Sequence, residues 1–263
     1  MPVSPTFDVG ASDDAVAALA GRPDADVATL AALAIDEARL ARAPAIAAAI
    51  YANPAAPLSV ANQAVATCAK LGVIPEGIAG FEELAQAIAA EPAALAPDGV
   101  DPGFAELLRQ LPEVVSEGEG SNKVTGRRSA VIDFTRLKLY EKIRLATLGN
   151  AYCRQNLLRD ANRMVALAVI RSPQITDGEI AKAAANRGLS EDVIRYIANR
   201  KEMVKQYAVK LALVGNPKCP LAVALRLLST LHADDLKQIA RSKNVPGALS
   251  VAAKRLAAAR GPQ

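Results

Sequence analysis

The sequence predicts a nearly all-α protein, an α-solenoid of short antiparallel helix pairs in two sub-blocks joined by a flexible linker. Three observations lead there. Hydrophobic residues make up 51% of the 263, much of that share alanine, whereas aromatics are 3% and tryptophan is absent; alanine is the best helix former, and strand-favouring aromatics are scarce. Short apolar segments with helical spacing are separated mostly by turns of about two to six residues, a length that makes neighbouring helices antiparallel. The wording of those turns also recurs along the chain.

In the first block, residues 1–91, helices are predicted over Asp13–Ala20, Asp26–Leu33, Glu37–Ala41, Pro44–Tyr51, Leu58–Leu71 and Phe81–Ala90. Ser12-Asp13-Asp14 and Asp24-Ala25-Asp26 place side-chain oxygens where the orphan N–H groups of a helix start need acceptors. Between Glu91 and Ser129 the rhythm weakens. Pro92, Pro97, Gly99, Pro102 and Gly103 crowd together, followed by the polar run SEGEGSN at Ser116–Asn122. Proline lacks a donor and glycine costs entropy to order, so 92–128 reads as a linker, with a short helix over Phe104–Leu111. In the second block, 129–263, helices are predicted over Phe134–Leu148, Tyr152–Leu158, Asn162–Ile170, Asp177–Asn186, Ser190–Asn199, Lys201–Val214, Leu221–Leu231, Asp234–Ala240 and Pro246–Ala259.

Charge divides near the linker. Residues 1–120 hold 5 basic and 17 acidic side chains, a net −12, and residues 121–263 hold 26 and 10, a net +16, within an overall +4. Either the halves attract each other or the basic half meets an acidic partner.

The proline turns align. Asn53-Pro54-Ala55-Ala56-Pro57, Ser172-Pro173-Gln174-Ile175-Thr176 and Asn216-Pro217-Lys218-Cys219-Pro220 each follow an Ala and two larger apolar residues. The residue before proline is pushed out of the α region and ends one helix, while the later Pro or Thr suits the start of the next. Ser172 to Asn216 is a step of 44, and Ile197-Ala198 to Ile239-Ala240 a step of 42. The tripeptide Ala-Asn-Arg occurs at 161, 185 and 198. A left-handed cap at Asn with Arg near the negative end of the helix dipole explains it as capping, although Asn162 could instead open a helix.

The stretch ALVGNPKCPLAVALRLLSTLHADDLKQIA, at 212–240, resembles a unit of the bacterial leucine-rich-repeat-variant or HEAT-like type. The resemblance is specific over roughly residues 165–250, degenerate over 27–75 and absent in the linker. It implies an α-solenoid that binds a partner and implies no chemistry. Some proteins of the variant-repeat type carry a cysteine-ligated cluster, but Cys68, Cys153 and Cys219 are isolated, so no cofactor is expected and the thiols read as small hydrophobes.

Arginines that recur with the repeats would line one face as a basic ladder. The candidate binding residues are Arg127, Arg128, Arg163, Arg187, Arg200, Lys201, Arg241 and Lys243, with no catalytic or metal-ligating set. His232 is the single histidine, and neither a Walker loop nor a dinucleotide glycine fingerprint is present. The carboxylate pairs Asp13-Asp14, Glu82-Glu83, Glu191-Asp192 and Asp234-Asp235 sit at helix starts, where the dipole favours them. No apolar run reaches membrane-spanning length, and the N-terminus lacks a signal-peptide pattern, so a cytoplasmic protein is expected. The expected function is a non-enzymatic scaffold for an acidic protein partner. The alternatives are phosphate-backbone binding by the basic half and, from the HEAT-like body of some repair glycosylases, an enzyme; the latter lacks an assembled catalytic cluster.

Overall fold

The computed structural model describes residues 11–78, 80–95, 108, 111, 114–117, 121–124 and 132–260. Helix dominates them, as the composition predicts. The first helices are α1 (Asp13–Ala20), α2 (Val27–Ala34), α3 (Glu37–Arg42), α4 (Ala45–Ala52), α5 (Leu58–Leu71) and α6 (Phe81–Ala89), followed by a 3-10 turn at Pro92–Leu95. Side-chain caps open three of them: Ser12 Oγ, Asp26 Oδ2 and Asp36 Oδ1 accept the N–H groups of Ala15, Thr29 and Arg39 at 3.3, 3.0 and 3.0 Å.

Within the expected linker, β1 (Val114–Glu117) and β2 (Ser121–Val124) pair as a two-stranded sheet. Val114, Val115 and Val124 favour strand, and the unstructured reading of SEGEGSN gives way at Ser116, Glu117, Ser121 and Asn122. Of the helix expected over Phe104–Leu111, only Leu108, which is helical, and Leu111 are among the described residues.

The remaining helices are α7 (Leu139–Leu148), α8 (Ala151–Leu157), α9 (Arg163–Arg171), α10 (Asp177–Ala185), α11 (Glu191–Asn199), α12 (Lys201–Val204), α13 (Tyr207–Val214), α14 (Leu221–Leu228), α15 (Ala233–Arg241) and α16 (Gly247–Ala259). Two differ most from expectation, and α14 also stops at Leu228 where Leu231 was expected. α7 starts five residues late, because Asp133 Oδ1 takes the Thr135 N–H at 3.1 Å and Glu141 takes the N–H of extended Lys138 at 2.7 Å. The helix read over Lys201–Val214 is split, with Gln206 extended at φ −74°, ψ 134°. No glycine or proline marks that break. Just beyond it, the Tyr207 hydroxyl accepts the His232 N–H at 3.0 Å and donates to Asp235, a tertiary contact at the start of α13.

The chain forms two compact units, and their boundary is not the one the charge suggests. The first holds α1–α8 with Arg171–Gln174, and the second holds Leu158–Ile170 with Ile175 onward. α7 and α8, read as the start of the basic block, therefore belong with the N-terminal helices. Arg144 on α7 shows the reason. Its side chain is fully buried, its Nη2 donates to the carbonyls of Asn53 at 3.0 Å and Ala56 at 2.6 Å, and its guanidinium lies 6.0 Å from the Tyr51 ring centre. A buried charge held by two carbonyls ties α7 to the turn between α4 and α5.

In the second unit the core is aliphatic. Val193, Ile194 and Ile197 on α11, Val209 and Leu213 on α13, Leu227 and Leu228 on α14, and Leu236 on α15 form one buried cluster. On α11 the buried positions 193, 194, 197 and 198 recur at helical spacing and leave Glu191 and Arg195 exposed and ion-paired at 2.5 Å.

Candidate interaction surface

A polar clamp recurs at helix ends. Asn53, just after α4, donates through Nδ2 to the carbonyls of Ala20 at 2.7 Å and Arg22 at 2.8 Å at the end of α1, and its Oδ1 accepts the Ala55 N–H at 2.8 Å. Asn216, just after α13, donates to Ala184 at 2.8 Å and Asn186 at 3.4 Å at the end of α10, and accepts the Lys218 N–H at 3.0 Å. Both asparagines are buried. Ser172 after α9 makes a shorter version, donating to Thr147 O at 3.4 Å and accepting the Gln174 N–H at 3.3 Å. After α16 the job falls to Arg260, which donates to Leu231 O at 2.5 Å and to Ser229 O. Ser172, Asn216 and Arg260 stand 44 residues apart.

The arrangement also recurs over a longer distance. The residues that start α1, α2 and α3 are Ser12, Asp26 and Asp36, and 164 residues later Thr176, Ser190 and Arg200 start α10, α11 and α12. In both places a short third helix, a clamped fourth helix and a proline-started fifth follow.

Several helices end on an extended residue. Asn186 (φ −77°, ψ 109°), Arg200 (φ −92°, ψ 112°) and Ser242 (φ −69°, ψ 128°) close α10, α11 and α15, and each donates its N–H to the carbonyl three residues back. This corrects the left-handed cap expected at Asn of the Ala-Asn-Arg repeats. Asn186 is extended, and its Oδ1 accepts the Gly188 N–H at 2.8 Å. Asn199 is the last residue of α11, and Asn162 precedes α9 with its Oδ1 on the Met164 N–H at 2.9 Å. The three copies thus hold three different stations.

The candidate cations divide accordingly. Arg187, Lys201 and Lys243 are exposed, and each is the first residue beyond an extended helix-ending residue. Arg200 is itself such a residue and lays its guanidinium 4.9 Å from the Tyr196 ring centre. Arg241 is the exposed last residue of α15. Arg163 does not match the others: it opens α9, where the dipole opposes a cation, and Asp192 at 3.3 Å offsets that. Arg127 and Arg128 lie outside the described residues. A small open cleft lies beside Arg163, between the 158–163 and 188–190 turns.

His232 precedes α15 and stacks on Tyr207 at 4.4 Å between ring centres. All three cysteines are buried and free, and burial pushes Cys68 and Cys219 up to about 11 and Cys153 up to about 12, away from the reactive thiolate. The four carboxylate pairs fall in the first turns of α1, α6, α11 and α15, as expected. No cluster of three His, Cys, Asp or Glu able to hold a metal occurs among the described residues, and no described helix is long and apolar enough to cross a membrane.

Comparison with protein-family models, with curated proteins and with solved structures found no match to this chain.

Proposed function

We propose that the chain is a non-enzymatic helical-repeat scaffold, an α-solenoid of the HEAT-like kind, whose second unit binds an acidic protein partner. The observation that carries this is the exposed cation just beyond an extended helix end, at Arg187, Lys201 and Lys243, with Arg200 and Arg241 beside two of them. Lys201 and Lys243, 42 residues apart, follow the ends of the corresponding helices α11 and α15, and repetition of this kind turns a position in the sequence into a series along the structure; Arg187 adds a cation beyond the end of α10. Among the described residues none of these cations is in an ion pair, in contrast to Arg163 with Asp192, which leaves them suited to a partner's charges. The three free, buried thiols are compatible with a reducing compartment and support the reading of a cytoplasmic scaffold.

The 26 basic against 10 acidic residues of 121–263 favour a second reading, binding of phosphate backbones. One titration separates the two. Full-length protein is titrated by fluorescence anisotropy with a labelled oligoglutamate peptide and with random duplex DNA, at salt of about 50 and about 200 mM. A protein partner requires the acidic peptide to bind at least as well as DNA. Preference for DNA with a loss on the order of a thousandfold across that salt range supports phosphate contacts. Binding of neither contradicts both.

A further inference from the structure

We infer that the outer faces of α14 and α16 form a docking face for an acidic amphipathic helix of another protein. Three large apolar side chains of the second unit are strongly exposed, Leu221 at 42%, Leu225 at 38% and Val251 at 50%, and all three lie on these two helices. Leu221 and Leu225 are four apart and share a stripe of α14. α14 packs against α16, and Arg260 fastens the end of α16 to Ser229 and Leu231 beyond α14.

Comparison with the preceding repeat shows what these positions ordinarily carry. A shift of 44 matches buried Ile180, Ala183 and Ala184 of α10 to buried Ala224, Leu227 and Leu228 of α14, and matches the clamp Asn216 to Arg260. In that register Leu221 and Leu225 replace Asp177, which is exposed, and Ala181, which is half-buried. An outer surface that is polar or small in one repeat is therefore leucine in the next. Val251 replaces Tyr207, which is covered: His232 stacks on its ring, and Asp235 in the first turn of α15 accepts its hydroxyl. In the earlier repeat, then, the occupant of this position is the acidic start of a helix.

Charge points to the same occupant. α14 and α16 contain no carboxylate, and Arg226, Lys254 and Arg255 are exposed. Lys254 and Arg255 follow Val251 by three and four residues, on its side of α16, and Arg226 adjoins Leu225. A second copy of the chain would set these cations against their equals across a twofold axis. A helix with carboxylates in its first turn and leucines four apart matches both the cations and the apolar stripe. This face rests on the scaffold reading but uses none of the cations at 187, 201 and 243, so charge reversal there leaves it intact, and its failure leaves that reading standing.

The test is an anisotropy titration of the full-length chain with a fluorescein-labelled, N-acetylated, alanine-based peptide of about sixteen residues, long enough to be helical, with Asp-Asp in its first turn and leucines four apart. Saturable binding is expected. Leu221→Ser with Leu225→Ser should weaken it at least about tenfold, as should Arg226→Glu with Lys254→Glu and a peptide carrying Lys-Lys in place of Asp-Asp. Circular dichroism and a thermal melt check that the variants stay folded. No saturable binding, or affinity indifferent to the leucine variants or to the peptide's charge, overturns the proposal. So does self-association in sedimentation velocity that Leu221→Ser abolishes, because the occupant would then be a second copy.

Discussion

Asn53 and Asn216, 163 residues apart, each donate two hydrogen bonds to carbonyls two residues apart at the end of an earlier helix. Each also orders the turn that follows by accepting an N–H two residues on. Asn216→Ala strands two carbonyls and one N–H near the core and is expected to cost about 2–3 kcal/mol. Asn216→Asp, which keeps the shape but has no donor, should cost at least as much above its own pKa. Urea unfolding at neutral pH checks both.

Arg144 is the corresponding test for the first unit. Its bonds to Asn53 O and Ala56 O are made by a fully buried guanidinium. Arg144→Met is expected to destabilise by about 3 kcal/mol, and Arg144→Lys to recover only part, since an ammonium cannot reproduce the fork. Circular dichroism melts of both variants measure the difference.

The thiols set a pH dependence. Burial holds Cys68 and Cys219 at about 11 and Cys153 at about 12, above the value of about 8.5 for an unfolded cysteine. A folded pKa above the unfolded one gives stability that is complete below about pH 8.5 and is lost as the pH climbs toward 11–12. Burial raises the Tyr51 hydroxyl in the same direction. The urea midpoint should therefore fall between about pH 8.5 and 10.5, and Cys→Ala at all three positions should flatten that fall.

Two glycines should respond oppositely to alanine. A Cβ at Gly149, which closes α7, would sit 2.5 Å from Leu145 O and 2.7 Å from Cys153 Cβ. Gly149→Ala is expected to cost about 1–3 kcal/mol, as other overpacked sites do. Gly178, in the first turn of α10, meets nothing within 4 Å, so Gly178→Ala should stabilise by about 0.5 kcal/mol. Thermal melts distinguish the two signs.

Much of this was legible in the chain. Asn53, Ser172 and Asn216 announce themselves through the following proline, and the steps of 42 and 44 reappear in the ends of α11 and α15 and in the clamps. Arg260 was not legible, because its neighbours share nothing with Asn-Pro and only the count of 44 reaches it. The break at Lys205–Gln206 has no glycine or proline to signal it, and the contact of Tyr207 with Asp235 beside it joins residues 28 apart in sequence. The Ala-Asn-Arg tripeptides misled: identical words fell before a helix, after one and inside one, since capping chemistry allows Asn each of these roles. The unit boundary was hidden because net charge follows exposed side chains, whereas Arg144 acts from the interior.

The proposed binding surface is made by the cations beyond the extended helix ends. The direct measurement is the oligoglutamate titration repeated with Arg187→Glu, Lys201→Glu and Lys243→Glu combined, beside a control reversing Lys182, Lys210 and Lys237. Binding is expected to fall at least about tenfold in the first and to change little in the second. Equal affinities in the two variants would contradict the proposed surface and leave only the general positive charge of 121–263.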